Sequence, residues 1–501
     1  MAKNKKKNNN IFSTALYYLN PANLSAEIKS YGYALSPVKL IIYYIATIAG
    51  CIGVGYLFEL TKIAIGVIVA VGIFFTPLVF RNLYKNKYEQ QRFSDITLYM
   101  EKILYAFKGS HKILTSLSEV QHSFVQGPMY DTIGKAIEYI LSSPEKDAEK
   151  EGLRIIEKEY SNDRLRTIHR FLLKVEGLGG NFDKTIDVLL EDRTMWVDRQ
   201  GVLQKDKKRK LIEVIMAVGV TLGMCWFILT GLPDNIEISS GIVYQIISTI
   251  VIIMDIIICV IGYSSISADY LQNKNKYSHE KVQKDYEFVK NFDKVKAYKM
   301  SIPMFIIPIG SLIYGIMTSK VVFMALAAIF TVMILSKPTM SYDAARKRLK
   351  REANIKFPRW LMEIALQLQS TSVNKAILNS IAGAPTVLKP ELLIFEKEEA
   401  AKPYSIEPYL NFMKDFEIPE ISSSMSMLYS ISSGTGGDAE TQINDIIKRN
   451  NIMLDKAEAL EDENKLAGLH SLMLFAEVSG GLKMLVDMIL FMVAFMQMST
   501  I

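Results

Sequence analysis

Cysteine is scarce: Cys51, Cys225 and Cys259 are the three in 501 residues, each inside an apolar run, with no CxxC pair and no neighbouring histidine. That excludes a zinc knuckle and gives no disulfide framework. Histidine is almost as rare. His111, His122, His169, His279 and His470 are scattered, and none has a second ligand at metal spacing, so packing or surface roles follow. No GxSxG, no catalytic Cys and His context and no kinase or Walker pattern occurs. The chain therefore reads as a non-enzyme with no catalytic residues, no cofactor and no metal site. A secretory signal with a cleavage site is also missing, because MAKNKKKNNN leads into a mixed segment broken by Pro21 and Pro37. The basic start reads as a cytoplasmic tail.

What the chain has in excess is apolar sequence, gathered in blocks: half of the residues are hydrophobic (50%) and mean hydropathy is +0.17. The net charge of +6 does not point to nucleic acid, because lysine and arginine collect beside the apolar blocks, as the positive-inside rule requires. KLIIYYIATIAGCIGVGYLFEL and IAIGVIVAVGIFFTPLVF, separated by Thr61 and Lys62, form a tight membrane hairpin. Lys207, Lys208, Arg209 and Lys210 mark an inner surface before the next crossing. The outer turn GLPDNIEISSG carries no lysine or arginine. A second tight hairpin starts at Pro303, with Ser319 and Lys320 at its tip, and Arg346, Lys347, Arg348, Lys350 and Arg351 follow it as membrane-surface anchors.

The expected fold class is all-α: a polytopic membrane protein with about seven spans and two duplicated cytoplasmic helical-bundle domains. In order, these are a cytoplasmic N-terminal segment (1–38), a membrane hairpin (39–80), a first helical domain (81–210), two spans (211–263), a connector (264–300), a second hairpin (301–336), a second helical domain (337–466) and a C-terminal membrane segment (467–501). The N-terminus and both large domains are expected in the cytoplasm. Within the first domain, a helix is predicted over 95–107 with a stop near Gly109. The last apolar block, 469–498, would be about 45 Å long as one helix, against a hydrocarbon core of about 30 Å. Either an interfacial piece precedes one crossing or the segment kinks, with Gly480 and Gly481 offering the break.

The duplication rests on one stretch. Residues 177–193, GLGGNFDKTIDVLLEDR, return in degenerate form as GTGGDAETQINDIIKRN at 434–450. Without a gap, Gly177, Gly179 and Gly180 pair with Gly434, Gly436 and Gly437. The glycines can close one helix and turn the chain, and Asn181 or Asp438 can cap the next. Ile186, Leu189 and Leu190 then match Ile443, Ile446 and Ile447, one apolar stripe at helical spacing. Upstream, Leu165, Ile168, Leu172 and Val175 keep the same spacing. A helix, glycine turn and helix results. The phosphate-loop reading fails because no strand precedes the glycines and the P-loop lysine is missing.

Three further residues draw attention. Asp255 sits in the middle of VIIMDIIICV, where a carboxylate is costly enough to be functional by default. Pairing with a polar group on a neighbouring span, or protonation, is expected over a transport pathway. Lys483 and Asp487, four apart, can neutralise each other on one helix face.

LLKVEGLGGNFDKTIDVL is similar to the acid, small-residue and glycine pattern of the F-type platform domain, with Glu176 as the acid and Gly180 as the last glycine. That family comprises the inner-membrane platforms of type II secretion, type IV pili and tight-adherence (Flp) pili. The span spacing resembles two tight-adherence platform proteins joined. Val175 stands where the family has glycine, and the second copy has Ser432 or Ser433 in place of the acid. The resemblance implies a platform in the cytoplasmic (inner) membrane that docks a hexameric secretion ATPase and meets pilin-like membrane subunits as an oligomer. It also implies that Glu176 and the paired glycine turns carry the hairpin or the partner contact. A transporter or channel with cytoplasmic helical domains is the alternative. A membrane sensor would need a larger outer region.

Overall fold

Each of the apolar blocks begins or ends in a charged helix, and in the computed structural model most of these junctions are unbroken. The structure describes residues 11–145, 147–178, 182–231, 238–266, 278–317, 321–368, 371–434 and 439–499. Every regular element among them is helical. In chain order they are α1 (Ile11–Tyr18), α2 (Pro21–Ser30), α3 (Pro37–Leu57), α4 (Lys62–Ser110), α5 (Ile113–His122), α6 (Pro128–Ser142), α7 (Ala148–Glu159), α8 (Asp163–Leu178), α9 (Asp183–Thr230) and α10 (Ile242–Ile266). After these come α11 (His279–Lys290), α12 (Lys294–Ser301), α13 (Ile306–Met317), α14 (Val321–Leu368), α15 (Val373–Ser380), α16 (Lys389–Ala401), α17 (Glu407–Asn411), α18 (Pro419–Ser432) and α19 (Ala439–Ser499).

Among the described residues six helical stretches are long and apolar enough to cross a membrane, which makes this a multi-pass membrane protein: Pro37–Leu57, Lys62–Ser110, Asp183–Thr230, Ile242–Ile266, Lys294–Met317 and Thr441–Met496. The remaining expected run opens α14, where Val321, Val322, Phe323 and Leu326 have side chains outside the description. Four helices have 48 to 61 residues. At 1.5 Å per residue they are about 70 to 90 Å long, two to three times the hydrocarbon thickness. The helix expected over 95–107 is therefore the lower part of a span-bearing helix. It stops at Ser110, where His111 takes the left-handed conformation (φ 53°) and returns its N–H to Phe107. Gly480 and Gly481 do not break α19, which runs through both.

The chain forms two compact units. One comprises Met1–Leu178, Arg193–Asn273 and Leu460–Ile501, the other Gly179–Asp192 and Lys274–Ala459. In the first, the spans of α3, α4, α9, α10 and α19 pack around Ile68, Cys225, Tyr244 and Ile252, with a second cluster at Val214, Val218, Ile258 and Ala476. The turn between α3 and α4 is held by α10: Tyr244 Oη donates to Phe58 O (3.1 Å), and Gln245 accepts from Thr61 N (2.8 Å) and donates to Glu59 O (3.0 Å). Those bonds pair backbone groups that the turn leaves outside helical hydrogen bonding.

The N-terminal segment is folded, not a bare tail, from Ile11 onward. α1 and α2 bury Ala15, Tyr18, Leu24 and Ile28 against Phe75, Leu78, Phe80 and Tyr84 of α4. Glu27 closes this contact by accepting from Tyr18 Oη (2.5 Å), Tyr31 Oη (2.7 Å) and Arg81 Nη2 (2.5 Å). Beyond the spans, the lower part of α4 packs with α5 to α8. Leu165, Ile168, Leu172 and Val175 of α8, the stripe read from spacing, are all buried there. At the centre of this bundle the fully buried His169 stands 3.0 Å from both Tyr99 Oη and Glu157 Oε1.

The second unit is built on α14, whose Phe357, Trp360, Leu361 and Ile364 are buried among α15 to α18; Trp360 Nε1 donates to Ser380 Oγ (2.8 Å). The start of α9 belongs to this unit. Ile186 and Leu189 are buried, as are Ile443, Ile446 and Ile447 of α19, and Asn451 Nδ2 donates to Val188 O (3.3 Å). Residues 183–192 thus group with the second copy's arm, whereas the expected boundary kept all of 81–210 together.

Candidate functional site

Among the described residues, the two spans that bury ionisable groups in their apolar parts are α10 and α19. They run antiparallel, so Ile258 meets Ala476 toward one end and Tyr244 meets Lys483 toward the other. On α10, Tyr244, Ser248 and Asp255 are four and seven residues apart, so they share one face. On α19, Ser479, Lys483 and Asp487 recur every fourth residue. All six are buried. The result is a polar seam enclosed by apolar side chains from five helices.

Distances define its chemistry. Lys483 Nζ donates to Asp487 Oδ1 (2.6 Å) and Oδ2 (2.5 Å), and the ammonium lies 4.1 Å from the ring centroid of Tyr244 and 5.9 Å from that of Phe58. A buried cation held by a carboxylate and an aromatic face is well compensated. Asp255 is less so. Ser479 Oγ stands 3.5 Å from Asp255 Oδ1 and also donates to Ala476 O at 2.9 Å, while Asp255 Oδ2 has no hydrogen-bond partner among the described residues. The expected polar neighbour of Asp255 on another span is thus Ser479.

Close helix contact makes the seam possible. A Cβ placed on Gly480 would lie 2.5 Å from Thr221 Cβ of α9, whereas one on Gly481 meets nothing within 4 Å. Glycine at 480 lets α9 and α19 approach, a small-residue contact of the kind that drives helix association in lipid. Cys225 Sγ, on the same face of α9 as Thr221, lies 3.9 Å from Gly480 O.

The residues singled out at the repeated turn have other surroundings. Glu176 Oε2 accepts from Ile113 N (3.1 Å), so it caps α5 from across the bundle. It also lies beside Glu149, whose carboxyl is raised by burial first and by the Glu176 charge second. Gly177 lies inside the last turn of α8 with open space around it. Gly434 takes φ +68° after α18 and returns its N–H to Ile431 O (3.3 Å), the left-handed helix stop that glycine favours. Gly179, Gly180, Gly436 and Gly437 lie outside the described residues. Of the two serines in the acid's place, Ser433, which the gapless pairing sets opposite Glu176, donates to Ser430 O (3.2 Å), and Ser432 Oγ stands 3.4 Å from Asn374 Oδ1 at the start of α15.

Among the described residues, no group of three or more His, Cys, Asp or Glu could hold a metal ion. Sequence reading found Asp255 and the pair of Lys483 and Asp487 but did not bring the two together; it took Gly480 as a helix break and missed Tyr244, Ser479 and Thr221. The signal was present: Ser479, Lys483 and Asp487 fall on one helical stripe, and Tyr244, Ser248 and Asp255 on another. No known protein family, no curated protein and no solved structure matches the chain.

Proposed function

We propose that the chain is a platform protein in the cytoplasmic membrane of a pilus-like or type II secretion-like machine, where it couples a cytoplasmic hexameric ATPase to the assembly of pilin-like subunits. The observation that carries this reading is the set of long unbroken helices α4, α9, α14 and α19, each joining an apolar stretch to a charged one. A push on the water-exposed end of such a rod moves the membrane end with it, whereas a loop at the membrane surface would absorb the displacement. The return of residues 177–193 in degenerate form at 434–450 favours duplicated F-type domains, and the serine in the acid's place in the second copy favours unequal motor contacts. In this reading the N-terminus and both charged domains face the cytoplasm, and the seam keeps the rods in register inside the bilayer.

The seam itself is the observation that favours a transporter or channel as the second reading, since buried ionisable groups are common on transport pathways. One experiment separates the two. The full chain, affinity-purified from its native membrane, should bring down a secretion-type ATPase and pilin-like subunits, and its deletion should abolish surface filaments. Intact filaments together with altered solute uptake would overturn the platform reading.

A further inference from the structure

The charges buried in the membrane bundle do not sum to zero. Asp255, Lys483 and Asp487 are 3%, 1% and 2% exposed, and among the described residues no other Asp, Glu, Lys or Arg is buried in the apolar parts of the five packed spans; the buried Glu89, Asp95, Asp192, Lys207, Glu458 and Asp462 lie in the charged parts of the same helices. Two carboxylates share one ammonium. Lys483 gives its hydrogen bonds to Asp487, and Asp255 is left with a distant serine. An isolated carboxylate in a medium of low dielectric takes up a proton in preference to staying charged.

We propose that Asp255 is a proton-binding site and that Lys483 exchanges between Asp487 and Asp255 as the proton leaves and returns. Ser479 stands one turn before Lys483 on α19 and places its hydroxyl 3.5 Å from Asp255. One turn is about 5.4 Å, within the reach of a lysine stem, and helical side chains lean toward the N-terminus, which here is the direction of Ser479. The ammonium that touches Asp487 can therefore turn to Asp255 without a change of helix register. With the proton bound, Asp255 is a neutral acid and the Lys483 and Asp487 pair is neutral in sum. Loss of that proton leaves one excess negative charge, and the single cation is drawn toward the newly charged carboxylate.

The other elements of the bundle supply no competing charge. α3 contributes Cys51, α4 contributes Thr76, α9 contributes Thr221 and Cys225, and α10 itself adds Tyr244, Ser248 and Cys259. Further ionisable side chains stand at the span ends or outside the bundle core: Glu59 at the turn between α3 and α4, Glu213 paired with Lys210 (2.6 Å), and the exposed Glu477 and His470 of α19.

The test is infrared spectroscopy of the full chain in lipid nanodiscs at neutral pH, following the carbonyl stretch of a protonated carboxyl in a dry environment. The wild type should show one such band, and Asp255→Asn should remove it. Asp487→Asn should also remove it, because Lys483 then pairs with Asp255 and keeps it ionised. Lys483→Met should raise it to about twice its area, since both acids then lack a cation. Asp255→Glu, which keeps the carboxyl, should shift the band without abolishing it, and each variant is scored only when its melting transition is retained. Absence of the band in the wild type, or its survival in Asp255→Asn, overturns the proton site. Persistence of the band in Asp487→Asn overturns the exchange. None of these readouts depends on the platform function.

Discussion

Gly480 and Gly481 are adjacent in one helix, yet the structure assigns opposite signs to the same substitution at the two positions. Glycine in a helix interior is less favourable than alanine by about 0.5–1 kcal/mol, so Gly→Ala is stabilising by that amount where space allows. At Gly481 it does, because nothing lies within 4 Å of an added Cβ. At Gly480 the added atom would lie 2.5 Å from Thr221 Cβ and 2.7 Å from its Cγ2, and Cβ is fixed to the α9 backbone, so the helices must separate. Overpacking of this kind costs about 1–3 kcal/mol. After the helix gain is subtracted, Gly480→Ala should lose about 1–2 kcal/mol while Gly481→Ala should be neutral or slightly stabilised. Thermal unfolding in a mild detergent, followed by tryptophan fluorescence and by size-exclusion recovery, measures both. Thr221→Gly, placed behind Gly480→Ala, should restore much of the loss by removing the clashing atoms. Equal melting temperatures for Gly480→Ala and Gly481→Ala would refute the close approach of α9 to α19.

Three further expectations concern the parts outside the bilayer. Burial holds the His169 imidazole below its ordinary value of 6.5 despite the nearby Glu157, so the unfolded chain binds the proton more readily. Stability of the α4 to α8 bundle should be complete above that value and decline as pH falls below it, by up to about 1.4 kcal/mol per pH unit; chemical denaturation at several pH values should show His169→Gln flattening the slope. Burial alone would raise Glu27, but the Tyr18, Tyr31 and Arg81 hydrogen bonds and the Arg81 charge outweigh it and hold the carboxyl at about 2. Its contribution is therefore present above 4.5 and lost as pH falls toward 2, and Glu27→Gln should cost about 2 kcal/mol near neutrality and release α1 and α2 to protease. Glu176→Ala removes the cap on α5 and should cost about 1 kcal/mol by thermal melting. If Glu176 also meets the ATPase, co-purification should fall further than in a control variant of matched stability, such as Asn162→Ala at the start of α8.

Much of the architecture was legible because a bilayer imposes strong rules. Apolar runs of span length, basic clusters beside them and a turn without lysine or arginine mark helices and their ends with little dependence on tertiary detail. The stripe Leu165, Ile168, Leu172 and Val175 was legible for a similar reason, since helical spacing and burial are two views of one geometry. Continuity was not legible. Arg81 and Lys210 look like borders in hydropathy, but nothing at either position interrupts backbone hydrogen bonding, so the helices pass through. Gly480 misled in a related way: glycine weakens a helix and also lets another helix come close, and which effect wins depends on a neighbour, Thr221, 259 positions earlier in the chain. The seam was half legible. Each stripe could be read on its own helix, but the pairing of α10 with α19 is a long-range fact that spacing does not contain.

The way α9 and α19 are shared has a bearing on how the protein is made. The first unit draws on three separated stretches of chain, and its third, Leu460–Ile501, is synthesised only after the whole Lys274–Ala459 stretch. Until α19 inserts, α10 stands in the bilayer with Asp255 and Tyr244 on an open face and no Ser479 or Lys483 to cover it. The earlier spans must therefore wait, partly assembled, for a partner that arrives late in translation. A ribosome stalled or terminated before residue 460 would leave a membrane-inserted, half-built bundle with a polar stripe toward lipid, the kind of surface that membrane quality-control proteases extract. Abundance of this protein in the cell should accordingly be more sensitive to truncation within α19 than to lesions of equal size in α1 and α2.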